Sequence, residues 1–408
     1  MRWKRQKQPS PTLRGQDKMS KIAIIAGTRP ELIKLAPVVR ALDILFGKEN
    51  VTFYCTGQHR KLLDQAVDSL NIHVDVDFKL MTNTQSSADI HKRVLTVLEK
   101  EFAQNRPEIL IVQGDTASAF AGAMSGFLLN IPVVHVEAGL RTHDLTNPWP
   151  EEGLRQMIAR ITSLHLAPTD QAKDNLVKEG IHSDTIHVVG NPGIDSLVLA
   201  RQEPNAQFLL KPVKGGTKEK LILITMHRRE ALDGDLDQFC VELAKTIKQH
   251  SDNRFVWPLH PNPKVRETVR RHFPEGSKHL NLQLVEPLPY QEMITMLDYA
   301  DLVISDSGGM QEEAPYCGVP IIVVRDVTER PEIIDLGLGC LIGSQAKNLS
   351  EAVTNHLSVR PQSSATEKWQ KIQGHGKAAD RVAEHIVNFV NQNQKNAYKH
   401  NKHRHKTA

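Results

Sequence analysis

From Lys21 onward, short apolar runs alternate with longer amphipathic segments. Runs that are apolar on both faces are what strands buried inside a parallel sheet look like, and the amphipathic intervals are the helices that cover them. The pattern predicts strands over 22–26, 51–55, 109–112, 133–136, 164–167 and 186–189, then over 221–225, 254–258, 282–285, 302–305 and 321–324. It pauses at Gly190-Asn191-Pro192-Gly193 and across the polar stretch from Arg201 to Lys220, which holds Gly215-Gly216. A domain junction belongs there. The expected fold class is α/β, with two Rossmann-like open parallel-sheet domains facing across a cleft. Ligands of such sheets bind beyond the carboxyl ends of the strands, so both domains line one site. The expected organisation is a disordered basic extension (1–18), an N-terminal domain (19–200), a C-terminal domain (201–376), an amphipathic helix (377–393) after the breaker Gly374-His375-Gly376, and a disordered basic tail (394–408).

Size and charge narrow the picture. A chain of 408 residues is too long for one core and fits two domains. Its apolar runs fall short of the roughly 18 residues of a membrane helix, so no membrane insertion is expected. The formal charge of +4 is uneven: residues 1–18 and 394–408 each carry +5, which leaves 19–393 at −6. An acidic body between basic ends is a poor nucleic-acid binder. Residues 1–18 lack the apolar stretch of a secretory signal, and Cys55, Cys240, Cys317 and Cys340 form no C-x-x-C pair, so reduced thiols in a cytoplasm are expected.

Most of the unusual residues follow the last apolar position of a predicted strand, as Arg29, Asp115, Glu137, His227, His260, Ser307 and Arg325 do. Ser305-Asp306-Ser307-Gly308-Gly309-Met310-Gln311-Glu312-Glu313 reads as a strand end, a turn of small residues and a helix N-terminus, which suits a diphosphate. Glu313, one turn in, is placed to accept from a ribose diol. Gly27-Thr28-Arg29-Pro30-Glu31 closes the first strand and aims Arg29 and Lys34 at the cleft as phosphate partners. Asp115 and Glu137 put carboxylates at strand ends, where partial burial raises a pKa toward the range of a general acid or base. The plainer alternatives are that Asp115 caps the next helix and that Glu137 pairs with Arg141. Asn147-Pro148-Trp149-Pro150-Glu151-Glu152 is stiffened by prolines and anchored by an aromatic, which holds Glu151 in place. His227-Arg228-Arg229 offers an imidazole and cations to a leaving group. The spacings match no compact metal-ligand pattern, P-loop, Gly-x-Ser-x-Gly elbow or Gly-x-Gly-x-x-Gly fingerprint, so neither a metal nor a nicotinamide cofactor is expected.

Taken together, Gly27-Thr28-Arg29-Pro30-Glu31, Gln58-His59-Arg60, Gly114-Asp115-Thr116, His135 to Arg141, Pro148-Trp149-Pro150-Glu151-Glu152, His227-Arg228-Arg229-Glu230, Asp306 to Pro315 and Arg325 to Glu332 resemble, in order, the non-hydrolysing UDP-N-acetylglucosamine 2-epimerases. The resemblance implies the GT-B fold, a homodimer, and a last helix that crosses back to the first domain. It also implies cofactor-free interconversion of UDP-GlcNAc and UDP-ManNAc through 2-acetamidoglucal, supplying precursors of cell-surface polysaccharide. Carried over by position, Asp115, Glu137 and Glu151 are the acid/base residues and His227 assists the leaving diphosphate. Arg29, Lys34, Leu288, Met293, Ser307, Gly308, Gly309, Glu313 and Arg325 hold the substrate. Gln58, His59 and His260 fall where many bacterial relatives bind a second, activating UDP-GlcNAc. The chain departs from the family at Met293, where many relatives carry an aromatic, and at Gly374-His375-Gly376, where many carry Tyr-Gly-Asp-Gly. A hydrolysing epimerase and a GT-B glycosyltransferase remain the alternatives; Pro30 after Arg29 and the acid-rich first half argue against them.

Overall fold

The computed structural model describes residues 21–57, 70, 72–80, 86–202, 219–226, 235–274, 281–358 and 361–404. His227, Gln58, His59, the 1–18 extension and the end of the basic tail lie outside the described residues. β1 (Ile22–Ala26), β2 (Val51–Cys55), β3 (Val76–Asp77), β4 (Ile109–Gln113), β5 (Val133–Val136), β6 (Leu164–Ala167) and β7 (Ile186–Val188) form a parallel sheet in the order β3-β2-β1-β4-β5-β6-β7. β8 (Leu221–Thr225), β9 (Arg254–Pro258), β10 (Leu282–Val285), β11 (Leu302–Ser305), β12 (Ile321–Val323) and β13 (Gly339–Leu341) form a second, in the order β10-β9-β8-β11-β12-β13. Every residue of β1, β4 and β5 is buried, because helices cover both faces. The two strands beyond those expected, β3 and β13, are outer strands of their sheets.

In each sheet the strand order reverses at one place, between β1 and β4 and between β8 and β11. A crevice opens beyond the strand ends at such a reversal. The helices that matter below are α1 (Arg29–Phe46), α2 (Ala117–Leu128), α3 (Glu151–Ile161), α4 (Pro192–Gln202), α5 (Tyr290–Tyr299), α6 (Gly308–Tyr316) and α7 (Ala378–Arg404). α4, at the end of the first half, packs against α5 and α6 of the second. Leu197 and Ala200 thereby share a buried apolar cluster with Leu297, Ala300, Ala314 and Trp369. The floor of the cleft is apolar.

α7 returns to the first half. It packs on α1 and α4, and Val382, Ala383, Ile386 and Val390 join the cluster that holds Leu35, Val38 and Leu42 of α1. Asp195 of α4 ties down its start, accepting the N–H groups of Ala378 at 3.1 Å and Ala379 at 2.9 Å. One expectation is corrected here. The helix does not give way to a disordered tail at residue 394 but runs on to Arg404. Residues 393–404 contain neither Gly nor Pro, so nothing in the sequence stops the backbone ladder.

Candidate active site

The turn after β1 is tight. A Cβ on Gly27 would fall 2.1 Å from Ser118 Oγ and 2.5 Å from Thr56 Oγ1, so only glycine lets the chain pass. Glu31 then closes the start of α1, its Oε2 accepting the N–H groups of Gly27 at 2.9 Å and Thr28 at 2.7 Å. This fixes Arg29, whose Nη2 donates to the Leu288 carbonyl in the other half at 3.2 Å. Lys34, one turn further, is buried between acids of both halves. Its ammonium hydrogen-bonds Glu137 and lies 3.1 Å from Glu312 Oε2. Burial works against that ammonium, yet Glu137 and Glu312 hold its pKa above the ordinary value.

Glu137 follows β5 with φ of 65°, in the left-handed region that side chains avoid. Gln113, at the end of β4, donates to its second oxygen. Burial pushes the Glu137 carboxyl above the usual range, with Lys34 pulling the other way. Arg141 is occupied by Glu179 at 2.6 Å, so the alternative pairing of Glu137 does not occur. Asp115 does not cap α2 either: Thr116 does, its hydroxyl accepting from the N–H of Ala119 at 3.1 Å. Asp115 instead accepts from Arg155 Nε at 2.7 Å.

Glu151 opens α3 and is half-buried. The expected aromatic anchor is corrected: Trp149 is 67% exposed. Its neighbour Glu152 does the holding, fully buried and accepting from the N–H groups of Thr142 at 3.0 Å and His143 at 3.3 Å. A charged acceptor on two backbone donors is a stronger tie than one ring at the surface.

On the facing wall, Ser307 caps α6, its hydroxyl accepting from the N–H of Met310 at 3.5 Å. Among the described residues a Cβ on Gly309 would meet only Ser307 Oγ, at 3.8 Å, so they leave the first turn open. One on Gly308 would come within 3.2 Å of Arg330 Nη1. Glu313, one turn in, is buried and accepts from the Tyr290 hydroxyl at 2.9 Å. Leu288 is buried and Met293 packs half-buried against the core. His260 Nδ1 accepts from the N–H of Asn262 at 3.2 Å.

The sequence reading missed the ionic lattice that joins the walls. Glu329 accepts from Arg155 Nη2 at 3.0 Å, from Arg325 at 2.7 Å and from Arg330 at 3.3 Å. Burial opposes its charge, but those cations hold its pKa well below the usual range. Arg330 also pairs with Glu312 and stands 3.7 Å from Glu137. Burial opposes the Glu312 charge too, and Arg330 and Lys34 hold its pKa down to about 2. Arg325 therefore faces Glu329, and Arg330 is the guanidinium beside the open helix turn. The signal was present: Arg155 stands four residues after Glu151 on one helix face, and Glu329-Arg330 alternates charge inside a segment singled out for Arg325 alone. Carboxylates on one wall and a helix N-terminus flanked by cations on the other can move a proton beside a departing anion.

Two facing parallel sheets, each with its reversal point at the cleft, define a GT-B-type α/β protein. The sequence model of the UDP-N-acetylglucosamine 2-epimerase family matches residues 47–387, and the chain belongs to that family, as its motifs led one to expect. The UDP-N-acetylglucosamine 2-epimerase of Bacillus subtilis is 36% identical over 370 residues, 91% of this chain and 96% of that protein. Among solved structures, the UDP-GlcNAc 2-epimerase of Neisseria meningitidis bound to UDP-GlcNAc is similar with a TM-score of 0.79 at 32% identity, covering 91% of this chain and 100% of that one. The UDP-GlcNAc 2-epimerase of Methanocaldococcus jannaschii in complex with UDP-GlcNAc and UDP gives 0.79 at 30% identity, over 90% and 99%.

Proposed function

We propose that the protein interconverts UDP-GlcNAc and UDP-ManNAc at C2 of the sugar, without hydrolysis and without a redox cofactor. The observation that carries this reading is the meeting of opposite chemistries at Lys34, which touches Glu137 of one wall and lies 3.1 Å from Glu312 on the helix that Ser307 opens in the other. A sugar C–H is too weak an acid to lose its proton unless a leaving group departs with it. A carboxylate takes the C2 proton, the C–H pair becomes the C1=C2 bond of 2-acetamidoglucal, and UDP leaves with the C1–O pair. UDP oxygen then re-adds to C1 while a proton reaches C2 from the opposite face. Asp115, Glu137 and Glu151 form the acid/base set. His227 assists the departing diphosphate. Arg29, Lys34, Arg330 and the N–H groups at Gly308 and Gly309, in the turn that Ser307 caps, hold the diphosphate, Glu313 the ribose, and Leu288 with Met293 the uracil.

A partner reading and a compartment reading accompany this one. Phe127 and Leu128 at the end of α2, and Met157 on α3 packed against it, are exposed apolar side chains, which supports a homodimer through this face. All four cysteines are free thiols, as a reducing cytoplasm keeps them. The test of the reaction is turnover of UDP-GlcNAc in D2O followed by NMR. Deuterium is expected at C2 of both epimers. Free ManNAc would move the protein to hydrolysis, retention of the C2 proton would exclude the elimination, and no reaction without an acceptor would point to glycosyl transfer.

A further inference from the structure

We infer that Tyr290 is a positioning residue for nucleotide recognition: its hydroxyl holds Glu313 as an oriented, ionised acceptor for the ribose hydroxyls. This rests on the reading above that Glu313 meets the ribose. Tyr290 is the first residue of α5, 4% exposed, and Glu313 lies in α6, 7% exposed, so the 2.9 Å bond between them is shielded from water. The bond spans two helices that both border the nucleotide pocket. With Oε1 taken by the phenol, the carboxylate plane is set and Oε2 is the oxygen presented to a ligand.

The charge state of Glu313 is what needs help. Burial pushes its pKa up and the neighbouring Glu312 adds to that; with the Tyr290 hydrogen bond and the cations of α1 already pulling the other way, it comes to about 7. Arg29 and Lys34 from α1 favour the ionised form, Cys317 stays a thiol, and Tyr290 supplies the hydrogen bond. A protonated carboxyl spends one oxygen as a donor, whereas a ribose diol offers two donors and needs an acceptor-only partner. The phenol itself titrates well above its ordinary value, so it remains a donor throughout. Tyr290 therefore orients Glu313 and shifts it toward the ionised form that recognises ribose. This is specificity through an unpaired polar group: a 2′-deoxy ligand leaves the buried carboxylate short of a donor.

The experiment titrates UDP and 2′-deoxyUDP calorimetrically into wild type, Tyr290→Phe and Glu313→Gln between pH 6 and pH 9, with thermal melts to confirm folding. In Tyr290→Phe, UDP affinity at pH 7 is expected to fall about tenfold, the scale of one hydrogen bond to a charged group. Discrimination against 2′-deoxyUDP should weaken with it, and both should recover at alkaline pH as Glu313 ionises unaided. Glu313→Gln should bind weakly and without that pH dependence. A Tyr290→Phe protein with the wild-type pH profile, beside an impaired Glu313→Gln, overturns the positioning role alone. A Glu313→Gln protein that still distinguishes the two ligands as wild type does overturns the ribose reading, and this inference with it.

Discussion

Glu137 shows how much structure one side chain can demand. Its backbone sits at φ 65°, its side chain is only 8% exposed, and it is held by Lys34 and Gln113 from two other elements. A non-glycine residue in that region costs on the order of 1–3 kcal/mol, and such a cost persists only where surrounding contacts over-determine it. The acid is therefore built into the fold. Glu137→Gln keeps the shape and removes the base, so kcat is expected to fall at least about 10²-fold while UDP affinity, measured by calorimetry, stays near wild type. Equal loss of both would show that Glu137 serves binding. Residues of this kind were legible in the sequence because a strand end announces its own position, as at Arg29, Asp115 and Ser307. Arg155, Glu329 and Arg330 showed only as charge spacing, and Glu312 and Tyr290 carried no role at all, because each takes its meaning from a partner on another element. Spacing along a chain carries no record of which helix will face which.

At the scale of elements, every strand expected from an apolar run is present, and the unexpected ones pair on one side only: β3 lies in the alternating Val74-Asp75-Val76-Asp77-Phe78, the pattern of a half-covered strand, and β13 in an apolar stretch interrupted by Gly337 and Gly339. Helix starts have clearer chemistry. The open first turn of α6 predicts that Ser307→Trp, which sets an indole over Gly309, weakens UDP binding at least about tenfold with little change in melting temperature. Retained UDP affinity would place the diphosphate elsewhere. α7 makes a second prediction through Asp195. Burial raises that carboxyl from 3.8 to about 6, against the two N–H groups it accepts. A raised folded-state pKa contributes stability that is complete below pH 4 and is lost as pH climbs through 6. Over that window wild type loses up to about 3 kcal/mol that Asp195→Asn does not. In urea titrations the variant should accordingly gain on wild type between pH 4 and pH 7, and a constant gap would show that the charge is carried without cost.

For the whole molecule, opening the cleft would part Arg155 from Glu329, Lys34 from Glu312, Arg29 from the Leu288 carbonyl and Thr169 from Glu332, with the apolar packing of α4 on α5 and α6 as the natural pivot. Arg155 also holds Asp115, so closure and the placing of an acid are one event. Glu329→Gln is expected to raise KM for UDP-GlcNAc by about tenfold and to enlarge the unliganded protein in small-angle scattering, with UDP restoring the compact form. Unchanged scattering and KM would mean that the lattice does not govern closure. If UDP-GlcNAc also activates by binding beside this cleft, assays started from UDP-ManNAc alone should show a lag that trace UDP-GlcNAc abolishes. The bond from Asn262 to His260 fits a local turn equally well, and immediate linear turnover, unchanged in His260→Ala, would leave it as no more than that. The return of α7 has one more consequence, for the order in which the protein is made. In the chain α1 precedes the whole second domain and α7 follows it, so the strip of α1 that α7 covers is made well before its cover. The first domain waits through the synthesis of the second with that strip uncovered, although α4 already packs beside it, which makes nascent chains stalled before Ala378 natural clients of a chaperone.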